Sequence, residues 1–413
     1  MTHAQIPAQT LPLAAPRDSS DLLHGVRILD LTTSIAGPYA TQLLADLGAD
    51  VIKVERPGTG DDSRQWGPPF LDGISLWYLT VNRNKRSLTL DYSCERGYEL
   101  LRSLVRESDI VFTNHVPRVQ LKLRIDHASL TELRADLIHV SVTGYGFGGS
   151  EADRPCYDIV AEGLSGVMDM TGELDSGPQK IGTAASDLLA GNDAALACLA
   201  ALFERQRSGR GKRIDVCLFE SMTRFMAPVL MSHLGSGEPF RRSGGRASVI
   251  AVYQMFETAD DPLTLALPNE GIWRRFCETT GLHELLQNPD YRDNAARHQR
   301  RAPLVKRIQE LLRTQPRDHW LTLFARERIP SGPINRIDQV AQDARLRERG
   351  FLFAVPGAHG PLPQVGLGIH FDGQARGYRH GPPTLGEHNA EILEGLLSMT
   401  PDECRQLRQT GTI

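Results

Sequence analysis

The sequence predicts an α/β protein with a large Rossmann-like domain, built on a parallel sheet, and a smaller α+β domain. Three observations support this fold class. The chain has 413 residues, which exceeds one typical domain core. Strand-like and helical segments alternate through the first half, as in a parallel sheet covered by helices on both faces. After about residue 225 a Gly-, Ser- and Arg-rich stretch leads into antiparallel strand patterns.

The first βαβ unit starts with a buried strand at 26–31. Gly37 and Pro38 then open a helix, because proline is favoured at the first helical position. The helix has an apolar face at helical spacing and ends at Gly48, a typical C-cap residue. A second strand follows at 51–54, so a right-handed crossover is expected.

The alternation continues to about residue 218. Further strands are predicted at 87–90, 109–112, 137–142 and 213–218, and helices at 96–106, 130–135 and 187–206. His139 lies in an apolar strand and is expected to be a core residue with satisfied hydrogen bonds. An antiparallel strand pair is predicted at 249–256 and 263–267, joined by a turn and followed by helices.

The composition argues against several classes of protein. A net charge of −4 gives no electrostatic reason to bind nucleic acid. No apolar run has the length of a membrane span, and residues 1–21 lack the pattern of a secretory signal, so they are expected to form a flexible tail. The six cysteines are scattered without a Cys-x-x-Cys pair, which favours a reduced, cytoplasmic protein.

Common catalytic motifs are missing from the sequence. It has no Gly-x-Ser-x-Gly elbow, no phosphate-binding P-loop and no His-Glu-x-x-His pair, and its histidines show no metal-ligand spacing. The turn after the first strand carries only Gly37 in place of the Gly-x-Gly-x-x-Gly fingerprint, which disfavours an NAD enzyme. The chemistry is therefore assigned to carboxylates and backbone donors, without a metal.

Two charged residues are candidates for function. Asp175 lies in the turn-rich segment 171–178, where it could accept a proton, bind a cation, attack an acyl group, or only bond its own backbone. Arg56 ends the second strand, where ligands bind in open parallel sheets. It could hold a phosphate or stack on a base, or it could simply pair with Glu55 or Asp61.

Ten short motifs occur in a fixed order over about residues 22–395. They are GVRILDL (25–31), AGP (36–38), LGADVIKVE (47–55), NKRSLTLD (84–91), GYG (144–146), YD (157–158), SG (165–166), TG (171–172), SGRG (208–211) and LGEHN (385–389). Together they resemble the class III coenzyme A transferases, which share their fold with the α-methylacyl-CoA racemases.

The resemblance implies an assembly as well as a fold. Two chains would form an interlocked ring homodimer, each threaded through the other. The large domain would combine residues 22–228 with 334–413, and residues 229–333, including linkers, would form the small domain. Acyl-CoA and a small carboxylic acid would be the substrates, with no tightly bound cofactor.

Two chemistries occur among the proteins that the chain resembles. In the transferases an aspartate at the position of Asp175 attacks the thioester, giving an aspartyl anhydride and then an aspartyl-CoA thioester, beneath a loop matching Gly244 and Gly245. The racemases use a His-Asp motif and a downstream Asp. Here Tyr157, a poor proton carrier near neutral pH, replaces the His, and only Asp187 matches.

We therefore predict an acyl-CoA:carboxylate CoA-transferase. An α-methylacyl-CoA racemase or epimerase and a non-catalytic CoA-binding protein remain alternatives. Asp187 also has a structural interpretation, as the N-cap of the helix that follows it.

The resemblance also implies the binding residues. Coenzyme A would contact Arg56, Leu90, Asn114 and Lys122, and the substrate would contact Ile35, Ala36, Trp77 and Tyr145, together with Gly244 and Gly245. His115 and Arg118 depart from the family pattern of their loop. Ile35 and Trp77 favour a substrate other than oxalate.

Overall fold

The computed structural model describes residues 7–16, 21–375 and 377–413 and divides the chain into two compact units. The first unit comprises the described residues up to Val167, Lys180–Gly235 and Asp343–Ile413; the second comprises Met168–Gln179 and Ser236–Gln342.

These bounds differ from the predicted small domain at 229–333 in two respects. Residues 329–333 are predicted from their Pro and Gly content to be the second linker, but Ser331–Pro333 is a strand that pairs with Leu263–Ala266, and the second unit continues to Gln342. The short segment Met168–Gln179 also belongs to the second unit, since Gly172 accepts a backbone hydrogen bond from Gly244 over 3.0 Å.

A six-stranded parallel sheet forms the centre of the first unit, as predicted. Its strands are β1 (Arg27–Asp30), β2 (Asp50–Glu55), β3 (Lys85–Thr89), β4 (Ile110–Thr113), β5 (Ile138–Thr143) and β6 (Lys212–Cys217). Their order is β3-β2-β1-β4-β5-β6. The strand order reverses between β1 and β4, and in such sheets the ligand crevice opens at that point, beyond the carboxyl ends of the strands.

The strands have apolar residues on both faces because helices cover both sides. On one side Ile28, Val51 and Ile110 pack with the helices Ala36–Asp46 and Ala185–Ser208. On the other side Leu29, Ile52 and Val111 pack with Glu95–Arg106 and Pro401–Gln409. The other helices of this unit are Leu76–Val81, Pro117–Leu123, His127–Thr131, Asp158–Leu164, Leu218–Phe225, Ala227–Ser236, Ala344–Glu348 and Glu391–Leu396.

The first unit also contains three short antiparallel strand pairs. They are Phe70–Leu71 with Ile74–Ser75, Leu352–Gly357 with Gly360–Val365, and His370–Phe371 with Gln374–Ala375.

Part of the predicted N-terminal tail is ordered against the first unit. Ala14 donates its backbone hydrogen to the Ala354 carbonyl over 2.9 Å, and Ala354 donates to the Pro12 carbonyl over 3.0 Å. Residues 12–14 of the predicted tail thus pair with the backbone of Ala354. Residues 1–6 and 17–20, also within that prediction, lie outside the described residues.

The helix Ala185–Ser208 is long and apolar enough to cross a membrane by length and composition alone, which the sequence analysis did not anticipate. Its small side chains, including Ala190, Ala194 and Cys198, are buried in the core against the sheet. The helix of a protein core passes the same test, so the helix itself gives only weak evidence for a membrane.

The second unit is an α+β layer. Its antiparallel sheet contains β7 (Tyr253–Phe256), β8 (Leu263–Ala266) and β9 (Ser331–Pro333), with β8 in the middle. Its helices are Glu270–Thr280, His283–Gln287, Asn294–Gln299, Arg301–Leu312, Arg317–Arg326 and Ile337–Ala341. Aromatic side chains, including Trp273, Phe276 and Phe324, fill the space between sheet and helices.

His139 on β5 is buried, as expected, but its hydrogen bonds are not satisfied. Neither ring nitrogen has a partner among the described residues, and the ring lies parallel to that of His127 with centroids 5.9 Å apart. Burial, with the nearby His127 and Arg213, lowers the pKa of His139 from 6.5 to about 3. The residue is therefore a neutral imidazole in the folded protein at neutral pH.

This burial makes the first unit sensitive to acid. Since the pKa of His139 is lower in the folded state, the unfolded chain binds the proton first, and stability falls as the pH drops from 6.5 towards 3. His139→Phe removes that linkage, so between pH 7.5 and pH 5 it should lose about 2 kcal/mol less unfolding free energy than the wild type.

Denaturant titrations of both proteins at the two pH values measure this difference. His283→Phe, at an exposed position, is the control and should keep the wild-type pH dependence. An equal loss in His139→Phe and wild type would contradict the assignment.

Candidate active site

A small cavity lies at the carboxyl edge of the parallel sheet, where the strand order reverses. Its volume is about 80 Å³, and residues that follow β1, β4, β5 and β6 contribute to its wall. Two predicted site residues, Ala36 and Asn114, line it. The other lining residues are Ser34, Val116, Val142, Thr143, Gly144, Arg154, Cys156, Tyr157, Asp187 and Leu218.

A buried ion pair positions the loop after β1 that lines this cavity. Lys53 Nζ and Asp61 Oδ2 are 2.7 Å apart, and both side chains are fully buried. Asp61 Oδ1 accepts a hydrogen bond from the Ser34 amide over 3.0 Å, which holds Ser34 at a positive φ of 71°. Burial would raise the pKa of Asp61, but Lys53 and the hydrogen bonds keep it below its usual value.

Asn114 links the loops after β1 and β4. Its Oδ1 accepts from the Thr33 amide over 3.2 Å, and its Nδ2 donates to the Thr33 carbonyl over 2.8 Å. The two loops are thereby fixed side by side at the crevice. The family resemblance assigned Asn114 to coenzyme A, whereas its amide group here bonds to protein backbone.

Asp187 is a half-buried carboxyl group in the cavity wall. Burial raises its pKa from 3.8 to about 7, the negative charge of Asp158 adds to the effect, and Lys180 opposes it. The predicted role of Asp187 as an N-cap is wrong, because the helix begins at Ala185. Asp158 instead accepts from the Ser186 amide over 2.9 Å, so a side chain from another segment occupies the helix start.

A second cavity, of about 440 Å³, lies on the other side of the loop after β4. Arg56 and Leu90 line it, as do Pro57, Thr59, Asp91, Tyr92, Ser93, His115, Leu123 and Gly411. The structure thus brings together two of the four residues predicted to bind coenzyme A. Lys122 is exposed on the neighbouring helix and is not part of this lining.

Arg56 and His115 set the electrostatics of the larger cavity. Arg56 pairs with exposed Asp62, and not with Glu55 or Asp61 as the structural interpretation of the sequence allowed. Burial and the Arg56 charge lower the pKa of His115, and burial raises the pKa of Tyr92 to about 12. His115, which departs from the family pattern, forms a hydrogen bond with Tyr92, since its Nε2 lies 3.2 Å from Tyr92 Oη. This hydrogen bond joins two uncharged groups.

Asp175 lies on an exposed turn of the second unit. The Ser176 amide donates to the Glu173 carbonyl over 3.0 Å and closes the turn around it. No hydrogen bond or ion pair among the described residues engages the Asp175 carboxylate. Gly172 and Gly244, joined by their backbone hydrogen bond, both have positive φ, which glycine adopts without strain. The turn and the Gly244–Gly245 loop are therefore in contact.

The remaining predicted substrate residues are separate from these clusters. Ile35 is buried at the start of the helix Ala36–Asp46. Trp77 is 43% exposed and packs edge-on against Trp66, with ring centroids 6.3 Å apart. Tyr145 lies beneath the Arg154 guanidinium, 5.9 Å from its ring centroid. None of the three belongs to the linings of the two cavities described above.

Neither the place of Arg154 in a cavity wall nor the raised pKa of Asp187 was predicted from the sequence. The only local signal near Arg154 is its position, with Pro155, just before the Tyr157-Asp158 motif. No residue near Asp187 in the sequence signals that Asp187 is buried. Among the described residues, no cluster of three or more His, Cys, Asp or Glu side chains could hold a metal ion.

Comparisons with known proteins identify the family. The profile of CoA-transferase family III matches residues 23–389. The chain is 38% identical over 382 residues to a succinate–glutarate CoA-transferase of Agrobacterium fabrum, covering 91% of this chain and 95% of that protein. It is 35% identical over 397 residues to the succinyl-CoA:glutarate CoA-transferase of Mus musculus, covering 96% and 91%.

A crystal structure of a CAIB/BAIF family protein from Brucella suis has the same fold, with a TM-score of 0.80 and 36% identity over 92% of this chain and all of that one. The chain therefore belongs to CoA-transferase family III. The prediction of a class III CoA-transferase is confirmed.

The contact between the two glycine-containing loops can be tested by substitution. A side chain at Gly244 would be strained at φ +65° and would overlap the Glu173 carboxylate. The left-handed conformation costs a non-glycine residue about 1–2 kcal/mol. We expect Gly244→Ala to shift the loop and lower kcat for CoA transfer by about tenfold or more.

Gly245→Ala is the matched control. A Cβ there would meet Met255 only at 3.5 Å, an ordinary contact, and transfer should stay within about twofold of wild type. Steady-state assays compare the two variants, and equal activities would show that the conformation of Gly244 is not needed.

Proposed function

We propose that this CoA-transferase uses Asp175 as its nucleophile. The observation that carries this role is the turn itself, which presents the carboxylate exposed and without a protein partner among the described residues. An accessible carboxylate without an ion-pair partner is suited to covalent catalysis, because an ion-paired oxygen is a weaker nucleophile. The contact with the glycine loop supports the same role.

The proposed reaction is a double displacement. An Asp175 oxygen attacks the thioester carbonyl carbon, the C–S bond breaks, and the departing CoA thiolate leaves a mixed anhydride. The thiolate then attacks the Asp175 carbonyl carbon, which releases the donor acid as a carboxylate and forms an aspartyl-CoA thioester. The acceptor carboxylate attacks this thioester, and the thiolate then attacks the acceptor's acyl carbon, which restores Asp175.

The glycine loop has two roles in this proposal. A mixed anhydride hydrolyses readily, so the intermediate must be shielded from water, and the segment containing Gly244 and Gly245 is placed beside the Asp175 turn to do so. Backbone N–H groups stabilise the oxyanions that form as each carbonyl is attacked. Gly244, at positive φ, lets the loop adopt this backbone conformation without strain.

We assign the coenzyme to the larger cavity of the first unit. Its volume of about 440 Å³ suits part of a large ligand, and Arg56 supplies a guanidinium for phosphate or for stacking on the adenine. Leu90 gives the cavity an apolar wall. Lys122, one residue before the lining residue Leu123, would add an exposed positive charge for the phosphates.

We further propose that the substrates are short dicarboxylic acids and their CoA esters. The relatives include enzymes named for succinyl-CoA with glutarate, for acetyl-CoA with oxalate, and for succinyl-CoA with mesaconate. The sequence resemblance implies Ile35, Ala36, Trp77 and Tyr145 as substrate contacts, and Ala36 is the member of this set that lines one of the two cavities described above. Succinyl-CoA is the donor to test first, and glutarate is the acceptor.

The active form is proposed to be an interlocked homodimer. Large apolar side chains remain 48–67% exposed on four helices of the first unit, which favours a protein partner. They are Ile159, Leu164, Leu196, Phe203, Phe225, Met231 and Leu234. A second copy of the chain that covers them would be consistent with the ring dimer implied by the sequence resemblance.

The nucleophile can be tested by trapping the covalent intermediate. Asp175→Ala should lower CoA transfer by at least about a thousandfold, since covalent catalysis is lost, while folding is unchanged because the side chain makes no contact that the fold needs. Mass spectrometry of wild type incubated with succinyl-CoA and quenched with hydroxylamine should show a modified peptide that contains Asp175.

Glu173→Gln is the control, an exposed acid in the same turn, and it should stay within about threefold of wild-type activity. Wild-type turnover in Asp175→Ala, or a modification on another peptide, would remove Asp175 from the mechanism.

Subunit exchange tests the interlocked dimer. Two chains threaded through each other cannot separate without unfolding, so tagged and untagged dimers should form no mixed species when combined. Mixed dimers should form after unfolding and refolding the mixture, or after co-expression, which is the positive control. Native mass spectrometry measures the fraction of mixed dimers after simple mixing, after refolding of the mixture and after co-expression. Exchange on simple mixing would contradict interlocking, and a monomeric mass would contradict the dimer.

A further inference from the structure

Three consecutive backbone carbonyls just after the glycine loop each accept a hydrogen bond from a different side chain. The pairs are Arg301 with Ala247 over 2.6 Å, His298 with Ser248 over 2.8 Å, and Asn294 with Val249 over 3.0 Å. The three donors come from the adjoining helices Asn294–Gln299 and Arg301–Leu312 of the second unit. The carbonyls of residues 247–249 are therefore all directed to these helices.

This arrangement fixes the direction of three backbone N–H groups. In a trans peptide group the N–H points opposite to the C=O, and the cis bonds of the described residues precede only Pro68 and Pro69. The N–H groups of Ser248, Val249 and Ile250 therefore point away from the helices. No hydrogen bond among the described residues uses any of the three.

The three N–H groups lie at the surface of the second unit. Ser248 is exposed, Val249 is 60% exposed and Ile250 is half-buried. Consecutive backbone N–H groups that point to one side form an anion-binding site, because each carries a partial positive charge. A negatively charged group is therefore the kind of ligand that this segment suits.

Two arginines add positive charge to the same segment. Burial and the nearby charge of Arg246 lower the pKa of Arg301, so the two guanidinium groups lie close together. In the part of the chain that the structure describes, both donate only to uncharged acceptors, which are two backbone carbonyls and the Gln254 amide oxygen. Arg301 Nε is buried and has no partner there. A carboxylate that binds at this segment would meet two positive charges.

The segment is fixed at both ends as well as along its length. Ala247 donates its backbone hydrogen to the Tyr253 carbonyl over 2.9 Å, and Ala251 donates to Asn294 Oδ1 over 3.0 Å. The donors are thus in place before a ligand arrives, and a preorganised site binds without the free-energy cost of ordering a loop. The glycine loop that precedes the segment contacts the turn that carries Asp175.

We propose that the N–H groups of residues 248–250, together with Arg246 and Arg301, bind the non-reacting carboxylate of a dicarboxylic acid substrate. The inference rests on the proposed function, which supplies dicarboxylic acids as substrates. Monocarboxylic acids lack the group that the site binds, so the site selects against them. His298 and Asn294 are positioning residues, because they act on the ligand only through the backbone.

The first experiment measures kcat/KM for two acceptors, glutarate and valerate, its five-carbon monocarboxylic counterpart. With succinyl-CoA as donor, wild type should strongly prefer glutarate. His298→Ala frees the Ser248 carbonyl, so the Val249 N–H loses its fixed direction, and the glutarate-to-valerate ratio should fall about tenfold. Valerate transfer should stay within about twofold of wild type, because valerate has no second carboxylate for the site to bind.

His298→Gln is the matched rescue, because a glutamine amide can donate to the same carbonyl, and it should restore most of the ratio. His283→Ala, at an exposed position of the same unit, is the control and should change transfer to neither acceptor. Circular dichroism and melting curves check that each variant is folded.

The second experiment removes one N–H directly. Replacing Val249 with its α-hydroxy acid deletes the N–H and keeps the side chain. The KM for glutarate should rise about tenfold with kcat within about twofold, since the lost hydrogen bond is to a charged group that is bound equally in ground and transition states. The same protein should also lose preference for succinyl-CoA over butyryl-CoA, its four-carbon monocarboxylic counterpart, as donor.

The outcomes separate the two proposals. Equal transfer to both acceptors by wild type, an unchanged ratio in both altered proteins, or an equal loss with both acceptors would contradict this inference and leave the role of Asp175 untouched. An equal rise in KM for succinyl-CoA and butyryl-CoA would assign the N–H groups to the phosphates of the coenzyme and would also contradict it. Transfer to no dicarboxylic acid would overturn the proposed substrates together with this inference. Wild-type turnover in Asp175→Ala would overturn only the nucleophile.

Discussion

The crevice of the first unit depends on a buried ion pair, Lys53 with Asp61. Both groups lie wholly inside the protein, where a charge without a partner would cost several kcal/mol. Removing either charge would leave the other buried without a partner. The loop after β1, which Asp61 holds through the Ser34 amide, is therefore fixed in place. Asn114 in turn fixes the loop after β4 against the loop after β1 through its hydrogen bond with Thr33. The loops that form the wall of the small cavity are therefore held by the same buried contacts that stabilise the fold.

Two carboxyl groups in this protein have different environments. Asp175 is exposed on a turn. Asp187 is withdrawn from water beside another acid, which favours its protonated form. For Asp187, burial and a neighbouring charge, more than the type of side chain, set the protonation state.

The sequence was sufficient for what depends on local patterns. Alternating segments with apolar strands predicted the parallel sheet, and turn residues predicted the loop around Asp175. What could not be predicted depends on distant partners. The long helix begins at Ala185 because Asp158, from another segment, accepts from the Ser186 amide. For the same reason, the sequence did not predict that the ring nitrogens of His139 lack hydrogen-bond partners among the described residues. It also did not predict that residues 12–14 pair with Ala354 or that Arg154 lies in a cavity wall.

The second unit is built from two stretches that are far apart along the chain. Met168–Gln179 carries Asp175, the proposed nucleophile, and the rest of the unit, including the Gly244–Gly245 loop, begins only at Ser236. During synthesis the ribosome therefore delivers Asp175 well before the segment that contacts its turn. Domains form as their parts emerge, so the parallel sheet of the first unit can assemble before the segment from Ser236 onward is complete. Under the role proposed for Asp175, activity depends on completion of this later part of the polypeptide.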